Sequence, residues 1–520
     1  MKNLFQYGHD FLTPGIALKI AKGEIKGVLT DTIKEKIQNC REAVENIAHS
    51  DQVVYGINTG FGILAHKHIS PEDGKTLQYK ILQSHSSGVG KPISKSIAKL
   101  MLVTKVHALA KGFSGCQLQT LERLIWHIEN DVIPVIPEKG SVGASGDLAP
   151  LSHMSLPLIG LGKVFFQGDI LPSKTVLKQF NLNSIPLSYK EGLSLINGTQ
   201  FMLAHAIKAI ERLQKALDTA DIIGAMSIEA LMGSQAPFQP HFHNLRPYKG
   251  NQLVAQRIRK IIANSEIGNS HINCERVQDP YSMRCIPQVH GATRNAWLHL
   301  KETIEIELNA VTDNPVIFSE VDTISGGHFH GQPIALPMDY ACFAAAELGN
   351  ISDRRTYLLI EGKWDLPVLL MDNIGLNSGF MIPQYATAAL VTENKTLCFP
   401  SSVDSIPTSL GQEDHVSMGS ISGRKLNTVI SNLEQILAIE LLNAAQALDF
   451  RRPLKSSPIV EEMHALVRLK VDFATEDRIF AKDIAQLHEL IESGEFIHYF
   501  NQKTIELGLD INENFEEFSI

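Results

Sequence analysis

The 520-residue chain has no cysteine pair at C-x-x-C spacing; Cys40, Cys116, Cys274, Cys285, Cys342 and Cys398 are scattered through it. That scatter argues against a disulfide framework and for reduced thiols. No stretch reaches about eighteen uncharged apolar residues, so no membrane-spanning helix is expected. The opening MKNLFQYGHDFLTPG meets Asp10 and Pro14 before any apolar run long enough for a secretory leader. There is no long basic run and no basic-aromatic alternation, and 47 basic residues stand against 56 acidic ones for a net charge of -9. A nucleic-acid backbone is therefore a poor partner. These absences together predict a cytoplasmic protein that binds neither membrane nor nucleic acid. An internal repeat is also lacking, as is the strand-helix alternation that builds a parallel sheet.

What is present is an ordinary globular composition, 44% hydrophobic and 20% charged. At this length folding can bury roughly three quarters of the unfolded surface. Leu29, Ile33, Ile37, Cys40, Val44 and Ile47 recur at helical spacing, and an extended piece, QVVYGINTG, is expected after them. Leu203, Ile207, Ile210, Leu213 and Leu217 make a second stripe. Leu426, Val429, Leu433, Ile436, Glu440 and Ala444 make a third, in a segment running to about Leu448. Between such segments lie long polar loops rich in Gly and Pro, among them GSVGASGDLAP, CERVQDPYSMRC, SGGHFHGQP and SVDSIPTSLGQEDHVSMG. Loops of this kind often carry function on a rigid scaffold. The expected fold is mainly α.

In GSVGASGDLAP, the triplet Ala144-Ser145-Gly146 surrounds one hydroxyl with very little side chain. Taken alone it is a turn into a helix, with Asp147 as the cap. A nucleophile elbow fails, because G-x-S-x-G requires Gly where this chain has Asp147. A third possibility is backbone chemistry. If the Gly146 amide nitrogen closes on the Ala144 carbonyl carbon and two waters leave, Ser145 becomes an exocyclic methylene. Gly suits the attacking position because it has no Cβ to clash.

GSVGASGDLAPLSH resembles the signature of the aromatic amino acid ammonia-lyases, which make 4-methylideneimidazole-5-one (MIO) from Ala-Ser-Gly. YGINTGFG (55 to 62), LINGTQ (195 to 200), QDPYSMRCIPQ (278 to 288), TDNP (312 to 315) and SVDSIPTSLGQEDHVSMG (402 to 419) match as well, in family order. The resemblance implies a long-helix bundle of fumarase/aspartase-like type, with a smaller N-terminal domain (1-205) carrying the MIO loop and the bundle with a C-terminal helical segment in 206-520. It also implies a homotetramer whose sites draw on more than one subunit, and no external cofactor. By the same resemblance Tyr55 is the base that takes the β-proton, Tyr281 belongs to a loop that closes the site, and Arg284 holds the substrate carboxylate as a bidentate fork. Asn197 and, with it, Gln278 complete the polar shell. An unperturbed Tyr, with a pKa of about 10, is a sluggish base at neutral pH, so the site is expected to lower it. The electrophile acts on the substrate amine or on its ring; both routes stay open.

Substrate choice rests on the pocket wall. Ser84-His85 stands where phenylalanine-selective relatives carry Phe-Leu, and some tyrosine-selective relatives share a similar pair. Glu413, in GQEDHVSMG, resembles the histidine-acting members, and a carboxylate facing an imidazole N-H stabilises ring charge. Met381 and the tail AAQALDFRRPLKSS agree with that branch. SGGHFHGQP departs from its G-G-N-F-H-A-E-P at His328, Gly331 and Gln332, around the expected wall residue Phe329. The implied reaction is removal of ammonia from L-histidine to give trans-urocanate. Tyrosine lyase, an MIO-dependent aminomutase and a catalytically silent helical scaffold are the alternatives. The pairs His241/His243 and His328/His330 would share a strand face, but no ordered acid completes a ligand set, so no metal is expected.

Overall fold

The computed structural model describes residues 4-272 and 276-520; Cys274 lies outside the described residues. The chain is mostly helical, 59% helix against 7% strand, as the apolar periodicity predicts. It divides into two compact units.

The first unit comprises Met1-Lys208, Leu300-Asp339 and Pro400-Arg424. The first predicted stripe forms the Asp31-Ala48 helix, buried along Ile33, Ile37, Cys40, Val44 and Ile47. Leu29 falls outside it, because the Thr30 side chain accepts from the Ile33 amide and starts the helix there. QVVYGINTG is not an extended piece but a turn at 55 to 57. Asn58 causes this: its Oδ1 accepts from the Val54 amide at 2.9 Å, a local alternative to strand pairing. The antiparallel pairing of Val89-Pro92 with Pro137-Lys139 brings the end of the Pro71-His85 helix beside the start of the Ala-Ser-Gly loop. Gly140 is in contact there with Gly88, at a separation that leaves a Cβ on Gly140 only 3.1 Å from the Gly88 Cα.

The second unit comprises Ala209-His299, Tyr340-Phe399 and Lys425-Ile520. It takes most of four long helices, Gln200-Ala230, Ile286-Leu308, Gln332-Ile360 and Gly419-Asp449. Every member of the second and third predicted stripes is buried. One of them is a charge: Glu440, at the centre of an apolar face, is wholly inaccessible. Its Oε1 accepts from Arg355 Nε at 2.5 Å and Ser227 Oγ at 2.7 Å, and its Oε2 from Arg355 Nη2 at 2.9 Å and Ser352 Oγ at 2.5 Å. A second buried cluster centres on Asp221, which contacts Arg294 at 2.5 Å, Arg257 at 2.8 Å and His290 at 2.8 Å. Despite its burial this carboxyl is held far below the usual carboxylate range, by Arg294 first. Glu440→Ala strands a buried guanidinium, and a loss of about 3 kcal/mol in unfolding free energy is expected from denaturant titration.

Among the described residues, no helix is long and apolar enough to cross a membrane.

Candidate active site

The Ala-Ser-Gly loop is fixed by the backbones around it. Gly146 has φ +74° and forms a parallel bridge with Gly198. A Cβ on Gly146 would stand 2.1 Å from the Gly198 carbonyl oxygen, so only Gly fits. The Asp147 amide donates to that same oxygen at 2.8 Å. On the other side Met418 donates its amide to Val142 O at 2.9 Å, and Ser417 Oγ donates to Gly143 O at 3.1 Å. The helices Leu148-Ser155, Gln200-Ala230 and Gly419-Asp449 all begin next to these contacts. Their N-termini bring partial positive charge to the loop.

Asp147 precedes the Leu148-Ser155 helix, but its side chain does not cap it. Instead Asp147 Oδ2 accepts from the amides of Phe201 and Met202 at 3.1 and 3.0 Å, at the start of the long Gln200-Ala230 helix, and Oδ1 accepts from Ser141 Oγ at 2.9 Å. Complete burial pushes this carboxyl up to about 7 against those bonds. Asp147→Ala leaves two helix-end amides without an acceptor, and a loss of about 2 kcal/mol in unfolding free energy is expected.

A cavity of about 1190 Å³ opens in front of the loop. Tyr55, His85, Ala144, Ser145, Asn197, Phe329 and Glu413 all line it. These seven are separated by up to 358 positions in sequence. Ser145 Oγ donates to Glu413 Oε1 at 3.0 Å. Glu413 Oε2 accepts from Thr408 Oγ1 at 2.8 Å, and the two residues pair through their backbones as an antiparallel bridge. The carboxylate is thus aimed by a tight turn. Tyr55 OH accepts from the Gly62 amide at 3.0 Å. Its proton is held above the ordinary phenol range by burial and then by the Glu413 charge, while the Gly62 bond opposes both. The free chain therefore raises this pKa, opposite to the expected lowering. Burial lowers the imidazole of His85, with the Glu413 charge acting the other way, and Ser84 Oγ lies 3.0 Å from its Nδ1.

Asn197 ends the Glu191-Ile196 helix, and its Nδ2 donates to Asn314 O at 3.0 Å. Its Oδ1 is buried with no hydrogen-bond partner among the described residues. An orphaned acceptor on a cavity wall is a place where a ligand donor is wanted.

Gln278, Tyr281 and Arg284 do not line this cavity. They belong to the second unit, where Gln278 and Arg284 line a separate cavity of about 740 Å³. Tyr281 is 72% exposed, and the Arg284 guanidinium stacks over its ring at 4.6 Å. Arg284 Nε donates to Asp279 O at 2.9 Å. His241 and His243 lie on a short helix, Pro240-Asn244, rather than on a strand, and His243 Nε2 bonds Pro237 O at 2.8 Å. His330 and His415, whose rings stack at 5.6 Å, also line the first cavity. The sequence held a cue to both, since each sits inside a loop already picked out.

Residues 12-469 match the family described as aromatic amino acid lyase. The chain is 45% identical over 482 residues to a histidine ammonia-lyase of Myxococcus xanthus (strain DK1622), covering 92% of this chain and 95% of that one. It superposes on the crystal structure of histidine ammonia-lyase from Trypanosoma cruzi with a TM-score of 0.89 at 37% identity, covering 99% and 97% of the two chains. A tyrosine aminomutase from Streptomyces globisporus gives 0.90 at 34% identity, covering 96% and 98%. The family match and the histidine ammonia-lyase relatives define the chain as a carbon-nitrogen lyase. The chain belongs to the aromatic amino acid lyase family.

Proposed function

We propose that the chain eliminates ammonia from L-histidine to give trans-urocanate, with MIO formed autocatalytically from Ala144, Ser145 and Gly146. The observation that carries the choice of substrate is Glu413, a carboxylate aimed across the cavity at Ser145 Oγ, 3.0 Å away. A carboxylate there matches an imidazole N-H and would be an unpaired cost against a phenyl ring. The names of the relatives from M. xanthus and T. cruzi point the same way.

The loop suits ring closure. Gly146 is already in a left-handed conformation that no Cβ could occupy, and the flanking carbonyls and amides of residues 142, 143 and 147 are tied down. Closure forms the bond from Gly146 N to the Ala144 carbonyl carbon and expels one water; loss of the Ser145 hydroxyl with its Cα proton expels the second. The finished ring supplies an electrophilic carbon to the substrate amine or to its ring.

The remaining side chains bind and move protons. Tyr55 takes the β-proton. Because burial and Glu413 hold its own proton on, the positive charge that favours its phenolate comes with the substrate ammonium and the closing loop. Asn197 offers its unpartnered Oδ1 to the substrate or the ring, His85 and Glu413 meet the imidazole, and Phe329 walls the pocket. Arg284 forks the substrate carboxylate, Gln278 supports it and Tyr281 closes the site. These last three are contributed by a neighbouring copy in a homotetramer, working in the cytoplasm.

The test is incubation with histidine, tyrosine and phenylalanine separately, following the absorbance of the unsaturated product, with the mass of the 140-150 peptide measured in parallel. Urocanate from histidine and a peptide two waters lighter than encoded are expected. Coumarate or cinnamate in its place would sink the choice of histidine, and a β-amino acid would mark an aminomutase.

A further inference from the structure

Beneath the floor of the cavity lies a cation that the reaction itself does not use. Lys105, on the Lys95-Leu109 helix, is 1% exposed, and its Nζ donates to the main-chain oxygen of Asn197 at 2.5 Å. Among the described residues no carboxylate forms an ion pair with it, unlike its neighbour Lys190, whose Nζ meets Asp313 Oδ2 at 2.7 Å. Burying an ammonium against a neutral carbonyl is costly, and an apolar side chain of similar length would fill the space without that cost. Retaining the charge needs a reason, and the reason is the peptide it touches. Asn197 carries the orphaned Oδ1 on the cavity wall, and Gly198, the next residue, is the one that Gly146 bridges and the Asp147 amide bonds.

We infer that Lys105 is a positioning residue, clamping Asn197-Gly198 so that the Asn197 side chain faces the cavity and the Gly198 backbone holds the Ala144-Gly146 loop in its closing conformation. The inference rests on the proposed roles of Asn197 and of the triplet. A charge-assisted bond to a carbonyl is stronger and shorter than a neutral one, which suits a clamp. Asp313 and Asp147 favour the charged form and Lys190 opposes it, while burial keeps the Cys116 thiol neutral where Lys105 titrates. Burial outweighs them and lowers the ammonium to about 8. The clamp is therefore charged at neutral pH and weakens as pH rises through that value, because the neutral amine is the poorer donor.

Lys105→Met and Lys105→Arg in the full-length chain test this, read by the mass of the 140-150 peptide over time, by kcat and KM for histidine, and by the pH profile. Lys105→Met is expected to mature more slowly and to lose at least about tenfold in kcat, with KM changed less than about threefold, the signature of misplaced groups rather than lost binding. Lys105→Arg keeps its charge and is expected to mature normally, to stay within about threefold of the parent kcat, and to move the alkaline limb to higher pH. A Lys105→Met protein that matures at the parent rate with the parent kcat overturns the inference alone. Should that variant fail to fold, an alkaline limb in Lys105→Arg that coincides with the parent's overturns it. An unmodified 140-150 peptide in the parent protein overturns the reading of the triplet, and this inference with it.

Discussion

Ser145→Ala is expected to abolish ammonia release from histidine, by at least about 10⁴-fold or roughly 5.5 kcal/mol of barrier. The size follows from what is lost. Without the Ser145 hydroxyl no second water can leave and no exocyclic methylene can form, so the site keeps its pocket but has no electrophile to activate the amine. Binding energy alone cannot replace that, because it stabilises substrate and transition state alike. The fold should survive, since the one side-chain bond at stake is that from Ser145 Oγ to Glu413. The 140-150 peptide should then be at most one water lighter than encoded. Product absorbance, peptide mass and a thermal melt together check the prediction. Full activity in a protein lacking the hydroxyl would remove the backbone-derived electrophile from the scheme.

Much of this arrangement is legible in the chain, and the exceptions share a cause. The stripes through Leu213 and Leu433 predict long buried helices because apolar periodicity is a local property, and the helices Gln200-Ala230 and Gly419-Asp449 follow it. Glu440 fits the same stripe by spacing, but its partners Arg355, Ser352 and Ser227 lie 85 or more positions away, where no periodicity points. Asp147 fails in the same way. Its position before Leu148 suggests a local cap, whereas the amides it serves are 54 and 55 residues on. The extended piece expected at QVVYGINTG is lost to a single Asn58 bond that outweighs the β-branched residues before it. For the site, the motif segments bring Tyr55, Ser145, Asn197 and Glu413 to one cavity. The return of residues 300-339 and 400-424 to the first unit has no sequence signal of its own. Nor has the absence of Gln278, Tyr281 and Arg284 from that cavity's lining, because the spacing within a motif does not say which surface it faces.

Glu413→Gln separates substrate choice from chemistry. The substitution keeps the size of the side chain and the capacity to bond Thr408 Oγ1, now 2.8 Å from Oε2, but it removes the charge proposed to meet the imidazole. Breaking a desolvated, charge-assisted pair costs about 4 kcal/mol, so kcat/KM for histidine is expected to fall about 10³-fold. The ring, if its formation needs only the backbone and Ser145, should still appear in the peptide mass, which tells a lost partner from a lost electrophile. The pH profile supplies the decisive sign. Glu413 raises the Tyr55 phenol and also raises the His85 imidazole against the lowering by burial. Neutralising it must therefore move both downward, so any limb of the profile due to Tyr55 should shift to lower pH. A uniform loss for histidine with no shift in profile would mean that Glu413 holds the pocket's shape rather than its charge. A phenylalanine rate that falls in parallel would mean that it serves the elimination itself and not the choice of ring.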